Sequence, residues 1–109
     1  MNVVFDLDGT LADCRRRVHF VTGDVKNWDS FYAACGSDDP IWPLVYVFKA
    51  CIAAGHRVEI WSGRREDVRR ITYDWFKRHG ISLEGVNALR MRPESDHSED
   101  CDLKKSWLK

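Results

Sequence analysis

Apolar and polar residues follow four separate rhythms along this chain. Val3 to Phe5 is a short continuous apolar run, rich in β-branched residues, and it predicts a buried strand. Leu44, Val47, Phe48, Cys51 and Ile52 recur at spacings of three, one, three and one. That is one face of a helix, opened by Asp39-Pro40 with Pro43 in its first turn and closed by Gly55, and the face is expected in the core. Arg57-Val58-Glu59-Ile60-Trp61 alternates with period two and breaks at Ser62-Gly63-Arg64, so it predicts a second strand. Residues 67–79 return to a helical period, with Val68, Ile71, Trp75 and Phe76 facing inward and Gly80 as the stop.

A third strand is expected around Ala88-Leu89-Arg90-Met91, ended by Pro93. Asp29 or Ser30 is suited to cap a short helix through Phe31, Tyr32 and Ala34, ending near Gly36. Residues 94–102 carry five acids and read as an exposed loop, and a last helix is expected from Asp102 onward. Strand, helix, strand, helix, strand is the order that builds a parallel sheet with right-handed crossovers. The expected fold class is therefore α/β, a minimal Rossmann-like parallel sheet flanked by helices.

Composition narrows the picture. A chain of 109 residues is one domain, residues 1–109, able to bury roughly two-thirds of its unfolded surface. The 44% hydrophobic content with five Trp argues for a packed core. Lys plus Arg equals Asp plus Glu at 17 each, so overall charge makes no case for binding long nucleic acid, while Arg15-Arg16-Arg17 could still hold a phosphate. Neither the four Cys nor the four His fall at zinc-ligand spacing. No apolar run reaches the length of a membrane span and the first residues are no signal peptide, so a cytoplasmic, thiol-reduced chain with no membrane partner is expected.

The chemistry gathers at the end of the first strand. Asp6 and Asp8, followed by Gly9, lie where the backbone starts to turn, at the carboxyl end of a strand, which is where open α/β sheets bind ligands. Asp6-Leu7-Asp8-Gly9-Thr10 resembles the first motif of the haloacid dehalogenase superfamily of aspartate-nucleophile phosphatases. Ser62-Gly63-Arg64 resembles the second motif, and Lys104 in Asp102-Leu103-Lys104-Lys105 resembles the third-motif lysine. Together with His19-Phe20, Trp28-Asp29 and Arg90-Met91-Arg92-Pro93, these residues are similar to the 3'-phosphatase domain of bacteriophage-type polynucleotide kinase-phosphatases.

That resemblance implies a set of roles. Asp6 would be the nucleophile and Asp8 the acid and base, and both would hold Mg²⁺. Gly9 and Thr10 would shape the phosphate turn. Ser62, Gly63 and Arg64 would bind phosphoryl oxygens, and Lys104 would hold nucleophile and phosphate together. The substrate would be a phosphorylated nucleotide or nucleic-acid end. No kinase phosphate loop occurs.

The family's fourth motif, an acid pair on a strand beyond the lysine, has no counterpart here, so the domain reads as C-terminally short. Asp96, Asp100 and Asp102 are the acids available nearby. The missing strand would leave the first strand on an edge, open to a second copy of the chain as a homo-oligomer. It also leaves room for an alternative, a catalytically impaired binding or interaction module or a truncated fragment.

Overall fold

The computed structural model describes residues 1–108. Strand β1 spans Asn2–Phe5. The chain then turns sharply, because the Leu7 carbonyl accepts from the amides of Thr10, Leu11 and Ala12. Gly9 sits in that turn with φ +81°, a left-handed conformation that costs a side-chain-bearing residue about 1–2 kcal/mol. The two-residue strands β2 (Ala12–Asp13) and β3 (Asp39–Pro40) pair antiparallel. They close a flap that holds a 3-10 turn at Arg15–Phe20 and the short helix α1, Trp28–Ala33. Asn27 caps α1, its side chain accepting from the Ser30 amide.

Helix α2 (Trp42–Ala53) follows and leads through Gly55 into β4, Arg57–Arg65. A 3-10 turn at Glu66–Val68 opens α3 (Arg69–Arg78), then comes β5 (Val86–Arg92) and α4, Asp100–Trp107. The strands form one parallel sheet in the order β1-β4-β5. The α/β class, the parallel sheet and the edge position of β1 match the expectation from sequence. The main core joins Phe5, Leu7 and Leu11 to Phe48 of α2, Ile60 of β4 and Trp75 of α3, while Trp107 of α4 meets Trp61 edge to face at 5.9 Å. Ile60 and Trp61 point to opposite faces of β4, so helices cover the sheet on both sides.

Several local expectations fail for identifiable reasons. Asp39-Pro40 does not open α2, because it pairs with Ala12-Asp13. Within α2 the buried residues are Val45 and Phe48, and Leu44 and Val47 are exposed. The helix is apolar nearly all round, so periodicity could not select its inward face. In α3, Thr72 is buried where Ile71 was expected, and Ile71 is exposed. Residues 62–64 do not end β4. The ladder pairs Trp61 with Arg90 and Arg65 with Arg92, so β4 carries two extra residues that bow out of register. Finally, α4 begins at Asp100 rather than Asp102, which takes the end of the acidic loop into its first turn.

Candidate active site

The end of β1 and the bulge of β4 meet at a cleft of about 580 Å³ lined by Asp6, Asp8, Gly63 and Arg92, by the aromatic residues of α1 and by residues 96–100. Asp6 follows the last residue of β1, so the strand aims it upward, and its side chain is 43% exposed. Its Oδ1 accepts from the Leu7 amide at 2.7 Å and pairs with Lys104 Nζ at 3.1 Å. Oδ2 has no hydrogen bond to any described residue. Burial raises the Asp6 pKa above the ordinary carboxylate value, against the Lys104 ammonium, which lowers it.

Lys104 sits one helical turn after Asp100 in α4 and bonds its Oδ2 at 3.0 Å. Burial acts to lower the lysine pKa, but the bond to Asp100 and the charge of Asp6 hold it above its usual value. The ammonium is therefore fixed between two carboxylates.

Asp8 is anchored by a different cluster. Arg17 Nη2 donates to its Oδ1 at 2.7 Å, and Arg64 donates to the same atom through Nε at 3.0 Å and Nη2 at 2.7 Å. Both guanidiniums also reach Asp38: Arg17 through Nε at 2.9 Å and Nη2 at 2.7 Å, Arg64 through Nη2 at 3.3 Å. Arg17 and Asp38 have side chains 2% and 3% exposed, and Arg64 is fully buried. Two arginines against two aspartates balance the buried charge and satisfy the forked donors, which is the condition for such a cluster to persist away from water. Burial opposes the Arg17 charge, but Asp38 and Asp8 hold its pKa above the ordinary value.

The sequence-predicted residues thus separate into groups. Asp6, Asp8 and Gly63 line the cleft, and Lys104 touches Asp6. Gly9 and Thr10 build the turn behind the acids. Ser62 is buried and its Oγ accepts from the Arg64 amide at 3.1 Å. Arg64 points inward to Asp8, Asp38 and Thr72 instead of into the cleft, which removes the geometric basis for a direct phosphate contact. The Arg15-Arg16-Arg17 run divides: Arg15 pairs with Asp13 and Arg16 with Asp39 at the surface, and only Arg17 turns inward.

Arg92 also belongs to the cleft, its Nε donating to the Gly63 carbonyl at 3.0 Å. Arg90 instead pairs with Glu59. Asp38 carries no motif of its own in the sequence and stands just before Asp39-Pro40, the pair expected to open a helix. Asp100 stood among the nearby acids, and its spacing of four from Lys104 within one helix was the available signal. The four cysteines are free, and burial pushes the thiols of Cys14 and Cys35 up. Among the described residues no helix is long and apolar enough to cross a membrane.

Comparison with known proteins places this geometry. A search of curated proteins returned no match. Two solved structures align over 98% of the chain. One, from the Pnkp1/Rnl/Hen1 RNA repair complex, has 26% identity and a TM-score of 0.75; another, of the Pnkp1/Rnl/Hen1 complex, has 27% identity and a TM-score of 0.74. The chain spans only 30% and 32% of the lengths of those two chains. The family model described as the polynucleotide kinase PNKP phosphatase domain matches residues 1–109, and the chain belongs to that phosphatase family.

Proposed function

We propose that this chain hydrolyses phosphomonoesters through an aspartyl phosphate on Asp6, and that its substrate is the 3'-phosphate of a nucleotide or nucleic-acid end. The observation that carries this reading is the matched anchoring of the two acids. Asp6 and Asp8 each have Oδ1 held by cations or an amide, while Oδ2 is free of described partners at the edge of one cleft. In the first step an Asp6 oxygen bonds to phosphorus as the bond to the leaving oxygen breaks, and Asp8 delivers a proton to that oxygen. In the second step water attacks phosphorus, Asp8 takes the proton, and the Asp6–phosphorus bond breaks to release inorganic phosphate.

Lys104 offsets the charge of Asp6 and of the incoming phosphate, and Arg92 supplies a cation on the cleft wall. Arg17 and Arg64, which both donate to Asp8 Oδ1, orient that acid from behind.

The donor set suits a partly hydrated Mg²⁺. The described residues contain no cluster of three or more metal-ligating side chains, but Mg²⁺ is commonly held by one or two carboxylates, with water and substrate phosphate completing its octahedron. Asp6 and Asp8 are the residues that would hold it. When bound, it would neutralise charge on the phosphoryl group.

The test is phosphate release from 3'- and 5'-phosphorylated oligonucleotides and from p-nitrophenyl phosphate, with Mg²⁺ and with EDTA. Turnover favouring the 3'-phosphate, and lost both in EDTA and in Asp6→Asn, is expected. Activity equal to the parent in Asp6→Asn would refute the mechanism. No turnover from a cooperatively folded chain would leave a phosphate-binding module.

A further inference from the structure

Three of the residues that line the cleft with the two acids are aromatic: Trp28, Phe31 and Tyr32. Trp28 and Tyr32, one turn apart on α1, stack with ring centroids 5.9 Å apart and an interplanar angle of 27°. Phe31 meets both rings edge to face. Tyr32 is buried, its hydroxyl donates to the Gly63 carbonyl at 3.2 Å, and the Arg65 guanidinium lies 4.9 Å from its ring centroid. Arg65 is in turn held by Asp29 of α1 at 2.6 Å and by Asp67 at 3.0 Å. The inner ring is therefore fixed on every side to the sheet that carries the acids. Trp28, the outer ring, is 44% exposed.

The cleft that Trp28 lines also holds Asp6, Asp8, Arg65 and Arg92, with Asp96, Glu99 and Asp100 on its rim, and the group best matched to an exposed ring beside those cations is a planar heteroaromatic ring attached to a phosphate. We infer that Trp28 is a stacking platform for the nucleobase of the nucleotide whose phosphate enters between Asp6 and Asp8. Tyr32 stiffens the platform, and Arg65 locks it to the end of β4. The phosphatase reading enters only in placing the phosphate.

Stacking of this kind tolerates any base, because every base presents a π face, and alanine replacement of such a ring typically weakens binding roughly five- to hundredfold. Trp28, Phe31 and Tyr32 present ring faces to the cleft, while Asp96, His97 and Ser98 line another part of it. Preference should accordingly follow ring size, purine over pyrimidine, rather than base identity.

The test is calorimetric titration of the Asp6→Asn chain with a nucleoside 3'-monophosphate and with ribose 3-phosphate, alone and combined with Trp28→Ala or Trp28→Phe. The expected result is about tenfold tighter binding of the nucleotide than of the sugar phosphate. That preference should vanish in Trp28→Ala and largely survive in Trp28→Phe, with ribose 3-phosphate bound equally by all three. An unchanged preference in Trp28→Ala, equal affinity for the two ligands with Trp28 present, or no binding of either overturns the inference. Failure of the parent to turn over any phosphomonoester, with base-dependent binding retained, removes the phosphatase reading and leaves the platform in place.

Discussion

Replacing Arg17 by Met tests how much the buried cluster beneath Asp8 contributes to the fold. Methionine keeps most of the stem and removes the guanidinium. Asp38 then loses bonds of 2.9 and 2.7 Å and keeps only the 3.3 Å contact from Arg64, with its side chain still 3% exposed. The Phe31 carbonyl loses a donor at 3.3 Å, and the Phe31 ring loses a cation 4.4 Å from its centroid. Removing one partner from a buried ion pair costs about 3–5 kcal/mol, because the remaining charge stays desolvated. A domain of this size has a total stability of roughly 5–15 kcal/mol.

The unfolding entropy of such a domain is about 0.2 kcal/mol per degree, so the loss corresponds to a fall in Tm of roughly 15–25 °C. Urea titration at 15 °C and a thermal melt followed by circular dichroism both report it. The double variant Arg17→Met, Asp38→Leu should recover a large part of the loss, since replacing both charges by apolar groups removes the stranded carboxylate. A single variant melting within about 4 °C of the parent would refute the account of a closed buried network.

Other perturbations separate stability from function. A β-carbon at Gly63 would collide with Asp100 Oδ1, which is the mobile end of a side chain. Gly63→Ala should therefore leave Tm within about 4 °C of the parent, yet displace Asp100 from Lys104 and lower kcat/KM for phosphate release roughly tenfold. At the surface, hydrogen bonds from Arg15 hold the Asp13 carboxyl down at about 2. A depressed folded-state pKa adds stability that is fully present above the ordinary carboxylate range near 4 and is lost as pH falls toward 2. Between pH 5 and pH 2 the urea midpoint of Asp13→Asn should consequently decline less than that of the parent.

The backbone of this fold was legible because its strands advertise themselves. Val3 to Phe5 and the alternation from Arg57 to Trp61 can be read over a few residues, and Asp6, the proposed nucleophile, follows directly from the first. The Asp8 cluster was not legible in the same way. Arg64 lies 56 residues from Asp8 and 26 from Asp38, and nothing local says that a guanidinium following a Ser-Gly will turn inward. Of three consecutive arginines, only the one whose direction matched Asp38 across the β2–β3 ribbon became buried. Ser62-Gly63-Arg64 looked like a turn because Gly breaks the alternation, whereas pairing with β5 keeps the segment in the sheet as a bulge. Long-range charge balance and strand pairing, both absent from any window of sequence, made those choices.

The free side of β1 bears on how this site would respond to concentration. Among the described residues β1 has β4 as its one neighbour in the sheet, and Val4 in its middle is exposed. Neighbouring strands lie about 4.8 Å apart, and β1 runs straight into Asp6. Any strand docking along that edge, from a second copy or another polypeptide, would therefore deliver its own end and the side chains flanking it to the rim of the cleft. Occupancy of the edge and access to the cleft would then be coupled, so a concentration-dependent change at one would be read out at the other.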